Sequence, residues 1–168
     1  CLAELTNGGQ SVGGRGSLTL GRAALRSARR KGQEIMDVSQ GAVVFTLRDD
    51  TRLFLLVLHT KGAHWDFPKG HPLPDEAPDE TIEREALEET GCEIELLSGY
   101  EDAVSYVLPS GKAKRVRYRL ARLKERGCVD LPNKEIRGVG WFTFDEARRI
   151  LTYDNARELL VRAEGFLR

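Results

Sequence analysis

An α/β fold, with a mixed β-sheet carrying helices on both faces, is predicted from residue 41 onward by three observations. Short apolar runs bounded by turn residues recur along the chain. An acidic helical segment interrupts them between two strands. An apolar stripe at helical spacing closes the C-terminus. In order, strands are expected at Ala42–Leu47 and Arg52–His59, joined by an Arg48-Asp49-Asp50 turn. A helix follows, opened by Pro78 at its first position and stopped by Gly91. Ala77 is a poor N-cap for it. Next come a strand at Cys92–Leu97 and a hairpin, Asp102–Leu108 with Lys114–Leu123, turning at Pro109-Ser110-Gly111. A short strand is expected at Gly138–Phe142. Thr143 with Glu146 makes a capping box for a helix over Glu146–Leu151. Ala156, Leu159, Leu160, Ala163 and Leu167 share one face of the last helix.

The acidic segment carries the chemistry. Between Gly70 and Cys92 stand Asp75, Glu76, Asp79, Glu80, Glu83, Glu85, Glu88 and Glu89, with Arg84 the only lysine or arginine. Glu85, Glu88 and Glu89 fall at i, i+3 and i+4, on one helical face. Like charges so placed cost roughly 0.2–0.5 kcal/mol per pair, so packing gives no reason for them and a bound cation does. Oxygen ligands on a rigid helix suit Mg²⁺ or Mn²⁺ beside substrate phosphates. Arg84 lies four residues from both Glu80 and Glu88 and can tether neighbouring carboxylates.

Gly70, five residues, Glu76, seven residues, then Arg84-Glu85-Ala86-Leu87-Glu88-Glu89-Thr90-Gly91-Cys92 resembles the Nudix box, G-x5-E-x7-R-E-U-x-E-E-x-G-U, with U a bulky apolar residue. Only Ala86 is smaller than the pattern expects. The resemblance implies a Nudix-type α/β/α sandwich whose box loop and helix carry a Mg²⁺ site, with Mn²⁺ a possible substitute. It implies Gly70, Glu85, Glu88 and Glu89 at the metal, Glu89 or Glu88 orienting or deprotonating the attacking water, and Arg84 holding the carboxylates.

Trp65-Asp66-Phe67-Pro68-Lys69-Gly70-His71, the run through Tyr106, Lys112, Lys114 and Tyr118, and Glu135 six residues before Trp141 are similar to the asymmetrical diadenosine tetraphosphate hydrolases within that family. By this resemblance the substrate is a dinucleoside polyphosphate, cut by in-line water attack to ATP and AMP. Two alternatives stay open: a Nudix enzyme for RNA 5′ ends, damaged nucleotides or inositol pyrophosphates, and a non-catalytic nucleotide-binding module. Lys69, Lys112, Lys114 and His71 are candidate phosphate ligands, with Arg115 or Arg117 as additions. Tyr106 and Tyr118 either stack on a base or fill the sheet. Glu135 either completes the metal shell, acts as general base, or lies on the surface. His59 and His64 lack metal-ligand spacing and read as packing or surface residues.

Lys and Arg number 26, as do Asp and Glu. Zero net charge argues against general affinity for DNA or acidic membranes, and no stable nucleic-acid complex is expected. The longest apolar run, Leu53 to Leu58, is far short of a membrane span. Cys1, Cys92 and Cys128 lack CxxC spacing, so neither zinc nor a disulfide framework is expected, and a reducing cytoplasm fits. A monomer with one hydrolase domain over 41–168 is expected. Residues 1–40, Gly-rich then basic, read as a mostly disordered extension. The sole methionine, Met36, is the expected natural start. The rival is a mitochondrial transit peptide, with Arg22, Arg26, Arg29 and Arg30 on one helical face.

Overall fold

The computed structural model describes residues 36–128 and 133–168, so residues 1–35 of the extension expected over 1–40, with the start-site and targeting readings, lie outside the described residues, while 37–40 are not disordered but open the first strand. Seven strands form one mixed sheet: β1 (Asp37–Arg48), β2 (Thr51–His59), β3 (Trp65–Asp66), β4 (Lys69–Gly70), β5 (Cys92–Val107), β6 (Ala113–Cys128) and β7 (Ile136–Thr143). Its main path runs β3-β2-β1-β6-β5, with β4 added to β1 and β7 to β2. β1 and β6 pair in parallel, and the other pairs are antiparallel. The Asp49-Asp50 turn joins β1 to β2 with both residues at positive φ, 47° and 61°, the twist a two-residue hairpin requires.

Helix α1 (Pro78–Thr90) packs Ile82 and Ala86 on one face of the sheet, against Ala42, Val44, Leu55 and Ala121. Helices α2 (Phe144–Ile150) and α3 (Asp154–Phe166) cover the other face, burying Ala147, Ala156, Leu159, Leu160 and Ala163 with Val43, Phe54, Leu56 and Leu120. The expected α/β/α sandwich is the observed one. Alternation explains the layering: successive residues of a strand face opposite sides, so neighbours in β1 and β2 feed different cores.

Several boundaries move. β1 starts at Asp37, five residues before the expected Ala42, because its parallel ladder with β6 begins at Asp37 opposite Lys114. The strands expected at Cys92–Leu97 and Asp102–Leu108 are one element, bent where the register with β6 shifts between Leu96 and Glu101. The α1 N-terminus is better satisfied than Ala77 suggests: the Ala77 N–H donates to the Glu80 carboxylate at 2.9 Å. Thr143 and Glu146 do make the reciprocal cap of α2. The cysteine reading is corrected. Cys92 and Cys128 stand directly opposite across β5 and β6 and are joined in a disulfide. Their separation of 36 residues hid a pairing that only strand register creates, and the argument from cysteine for a reducing compartment falls with it.

Candidate active site

Pro78 and Gly91 delimit α1 as expected, and Gly91 takes the left-handed conformation (φ 68°) that ends the helix beneath its carboxylates. Glu85, Glu88 and Glu89 all line one cavity of about 770 Å³, with Ser39, His59, Lys69, Gly70, His71, Lys114 and Glu135. Arg84 is the hub beside it. Its Nε and Nη2 donate to the two Glu76 oxygens at 2.7 and 3.0 Å, and its Nη1 to Glu85 at 2.8 Å and Glu88 at 3.0 Å. Nη2 also donates to the His71 carbonyl at 2.9 Å, tying loop to helix. The Arg84 hydrogen bonds hold the Glu76 carboxyl down at about 2. Glu80, expected within the reach of the Arg84 tether, is used in the cap instead.

Glu89 is the buried member of the trio. Burial pushes its carboxyl up to about 8, the Lys69 charge and N–H oppose this, and Glu85 and Asp66 add to it. Its Oε2 accepts from the Lys69 N–H at 3.0 Å. Such a set suits a bound cation. Gly70 is consistent with one: a Cβ there would lie 2.0 Å from the Glu85 carboxyl carbon, so the bare backbone lets that carboxylate rest against the loop. Hard oxygen donors, a carboxylate whose charge burial disfavours and this cradle fit a divalent ion. Among the described residues no three His, Cys, Asp or Glu side chains stand in a metal-holding cluster; Arg84 holds Glu85 and Glu88, and the Lys69 amide holds Glu89.

Lys69 lies at the junction of this cavity with a second, of about 530 Å³, and Lys114 lines both. The Lys69 ammonium donates to Asp66 at 2.8 Å and faces His59 Nε2 at 3.4 Å. Burial opposes its charge, but Asp66 and Glu89 outweigh burial and keep Lys69 protonated. The second cavity is aromatic and apolar: Tyr106, Tyr153, His64, Val104, Leu108 and Tyr118 are among its walls. Tyr106 is half-buried at its edge, whereas Tyr118 is almost wholly buried and packs edge-on against Phe67, with ring centroids 6.1 Å apart. Of the two tyrosines, Tyr106 has the available face. Gly41 makes this packing possible, since a Cβ would meet Tyr118 at 2.7 Å and Lys69 at 2.8 Å.

Not every expected residue arrives. Lys112 is exposed and lines neither cavity. Arg115 and Arg117 lie on the other face of β6, where Arg117 pairs with Glu101. Glu135 does reach the acidic cavity, from a loop held to α1 by Asn133, whose side chain donates to the Glu88 carbonyl at 2.9 Å. His59 and His64, read as packing or surface, stack at 4.5 Å with one ring on each cavity. Tyr153, Asp66, Ser39 and Lys134 had no sequence signal. They come from four separate elements or loops, Ser39 and Lys134 at the acidic cavity and Asp66 and Tyr153 at the aromatic one.

Comparison with known proteins places this geometry. The NUDIX domain matches residues 38–163. The chain is 30% identical over 137 residues to the asymmetrical bis(5′-nucleosyl)-tetraphosphatase of Sus scrofa, covering 76% of this chain and 92% of that protein. It is 33% identical over 101 residues to an RNA pyrophosphohydrolase of Sulfurovum, covering 53% of this chain and 64% of that one. Among solved structures, the C. elegans Ap4A hydrolase binary complex superposes with a TM-score of 0.73 at 27% identity, over 79% of this chain and 98% of the other. With the box intact on α1 and the family match running through nearly all of the sheet and its helices, the chain belongs to the Nudix family.

Proposed function

We propose that this protein hydrolyses dinucleoside polyphosphates in a Mg²⁺-dependent reaction, splitting diadenosine tetraphosphate into ATP and AMP. One observation carries the reading: an acidic cavity and an aromatic cavity share Lys69 and Lys114. A base fits between Tyr106 and Tyr153, the phosphate chain crosses the two lysines, and the bond to be broken lies over Glu85, Glu88 and Glu89. Base–aromatic stacking contributes about 1–3 kcal/mol where such a face is available. The pig and nematode relatives named above support this choice of substrate.

Glu85, Glu88, Glu89 and the Gly70 carbonyl would hold the ion. A bound divalent cation neutralises phosphate oxygens and makes water a better nucleophile. Glu89 or Glu88 orients the attacking water and receives its proton, with Glu135 as the further carboxylate within the cavity. The water oxygen bonds to phosphorus in line, the bridging P–O bond breaks, and the departing nucleotide phosphate keeps that electron pair. Arg84 touches no substrate atom in this scheme; it fixes Glu85 and Glu88.

The second reading keeps this chemistry and replaces the substrate with the 5′ end of RNA, which the Sulfurovum relative favours. A non-catalytic module would be expected to have lost box glutamates, and all are present. Purified protein with Mg²⁺ and a substrate panel, with products resolved by chromatography, tests the choice. Diadenosine tetraphosphate left intact while triphosphorylated RNA is cut overturns the proposal.

A further inference from the structure

β1 enters the acidic cavity at its leading end. β4 pairs with β1 only at Gln40 and Gly41, so the strand beside Ser39 stops where His71 leaves the sheet. Asp37, Ser39 and Gly41 alternate along one face of β1. Gly41 admits Lys69 and Tyr118, and Asp37 meets Lys114. Ser39 lies between them, 1% exposed and lining the cavity, and its Oγ has no hydrogen-bond partner among the described residues. A buried hydroxyl left unmet is costly, and such an orphan in a ligand cavity calls for a partner. Two residues earlier, Asp37 Oδ1 accepts from His71 Nε2 at 2.6 Å and lies 3.7 Å from Lys114 Nζ. A carboxylate oxygen therefore occupies the place between an imidazole N–H and an ammonium that a phosphate oxygen would take.

We propose that the leading end of β1 is a phosphate subsite, in which Ser39 Oγ donates to a non-bridging oxygen of the polyphosphate and Asp37 is the carboxylate that this phosphate displaces from His71 and Lys114. The inference rests on the polyphosphate reading above and adds two residues that act with opposite sign. Ser39 strengthens binding of a phosphate chain. Asp37 competes with it, so the site favours ligands with enough negative charge to evict a carboxylate.

Calorimetric titration of the full-length protein with ATP and with AMP, in Mg²⁺, tests this. Ser39→Ala weakens ATP about tenfold, the scale of a hydrogen bond to a charged group, and leaves AMP within about twofold, well below that scale. Ser39→Cys, which keeps the volume with a weak donor, does the same. Asp37→Asn tightens ATP by about twofold to fivefold, the range of a partly exposed charge pair. Equal ATP affinity in wild type and both Ser39 variants, each with an unchanged melting temperature, overturns the subsite, as does unchanged or weaker ATP binding by Asp37→Asn. Wild-type protein that binds no ATP overturns the polyphosphate reading as well, so the two failures are distinguishable.

Discussion

Replacing Gly70 with alanine separates catalysis from folding. The new Cβ would stand 2.0 Å from the Glu85 carboxyl carbon and 2.1 and 2.2 Å from its oxygens. Ordinary carbon contacts lie at about 3.5–4.0 Å, so the carboxylate must retreat by roughly 1.5 Å. The retreat breaks the 2.8 Å bond from Arg84 Nη1 and takes Glu85 out of the ion's reach. Misplacement of a catalytic group by about 1 Å costs on the order of 10²-fold in rate, equivalent to about 2.7 kcal/mol of barrier. Stability changes little. Gly70 is not at positive φ, so alanine suits its backbone and restricts the unfolded chain by about 0.4–1 kcal/mol. The lost Arg84–Glu85 bond offsets that by a similar amount, about 0.5–1.5 kcal/mol. Gly70→Ala should therefore melt within about 4 °C of wild type while kcat on diadenosine tetraphosphate falls about 10²-fold. A kcat within threefold of wild type, with the melting temperature unchanged, would refute the placement of Glu85 at the ion.

Four further outcomes are expected. Glu89→Gln keeps the acceptor for the Lys69 amide and removes a buried carboxylate, so the fold survives while kcat drops by about 10²–10⁴-fold, the worth of a positioned acid–base group; a near-normal rate removes Glu89 from the mechanism. EDTA abolishes turnover and Mg²⁺ restores it, and undiminished cleavage under chelation would sink the metal assignment. Reducing the Cys92–Cys128 bridge, which closes a loop of 36 residues, lowers unfolding free energy by about 2–4 kcal/mol, read as the shift in urea midpoint with and without dithiothreitol. The fourth concerns pH. Burial, then the Lys69 charge, lowers the His59 imidazole from 6.5 to about 4, so folding favours its neutral form. That contribution is present above pH 6.5 and is lost as pH falls towards 4. After discounting for partial exposure it amounts to about 1–2 kcal/mol. Chemical denaturation across that range should show a steeper loss in wild type than in His59→Gln, and identical slopes would refute it.

The box helix was legible because its chemistry is local. Spacing of i, i+3 and i+4 puts Glu85, Glu88 and Glu89 on one helical face by helical geometry alone, and Pro78 and Gly91 mark its ends within the same stretch of chain. The strands were legible in kind and order but not in extent, since β1 owes its first residues to a partner some 77 positions away: Asp37 opposite Lys114. Of the three lysines expected at phosphate, Lys69 and Lys114 line both cavities, while Lys112, just before the same strand, reaches neither. Tyr106 and Tyr118 could not be ranked from alternation, because the same alternation serves a core and a binding wall.

Sequence by itself determined the acidic helix, the arginine within it and the family, because the pattern that carries each of them lies within one short stretch of chain. Tertiary structure alone decided that Tyr153 closes the aromatic cavity opposite β5, that two histidines stack across the boundary of the cavities, and that Cys92 meets Cys128. Those pairings follow from strand register and from the way α3 crosses the sheet. Both depend on long-range packing of the two cores, which no local pattern of residues encodes.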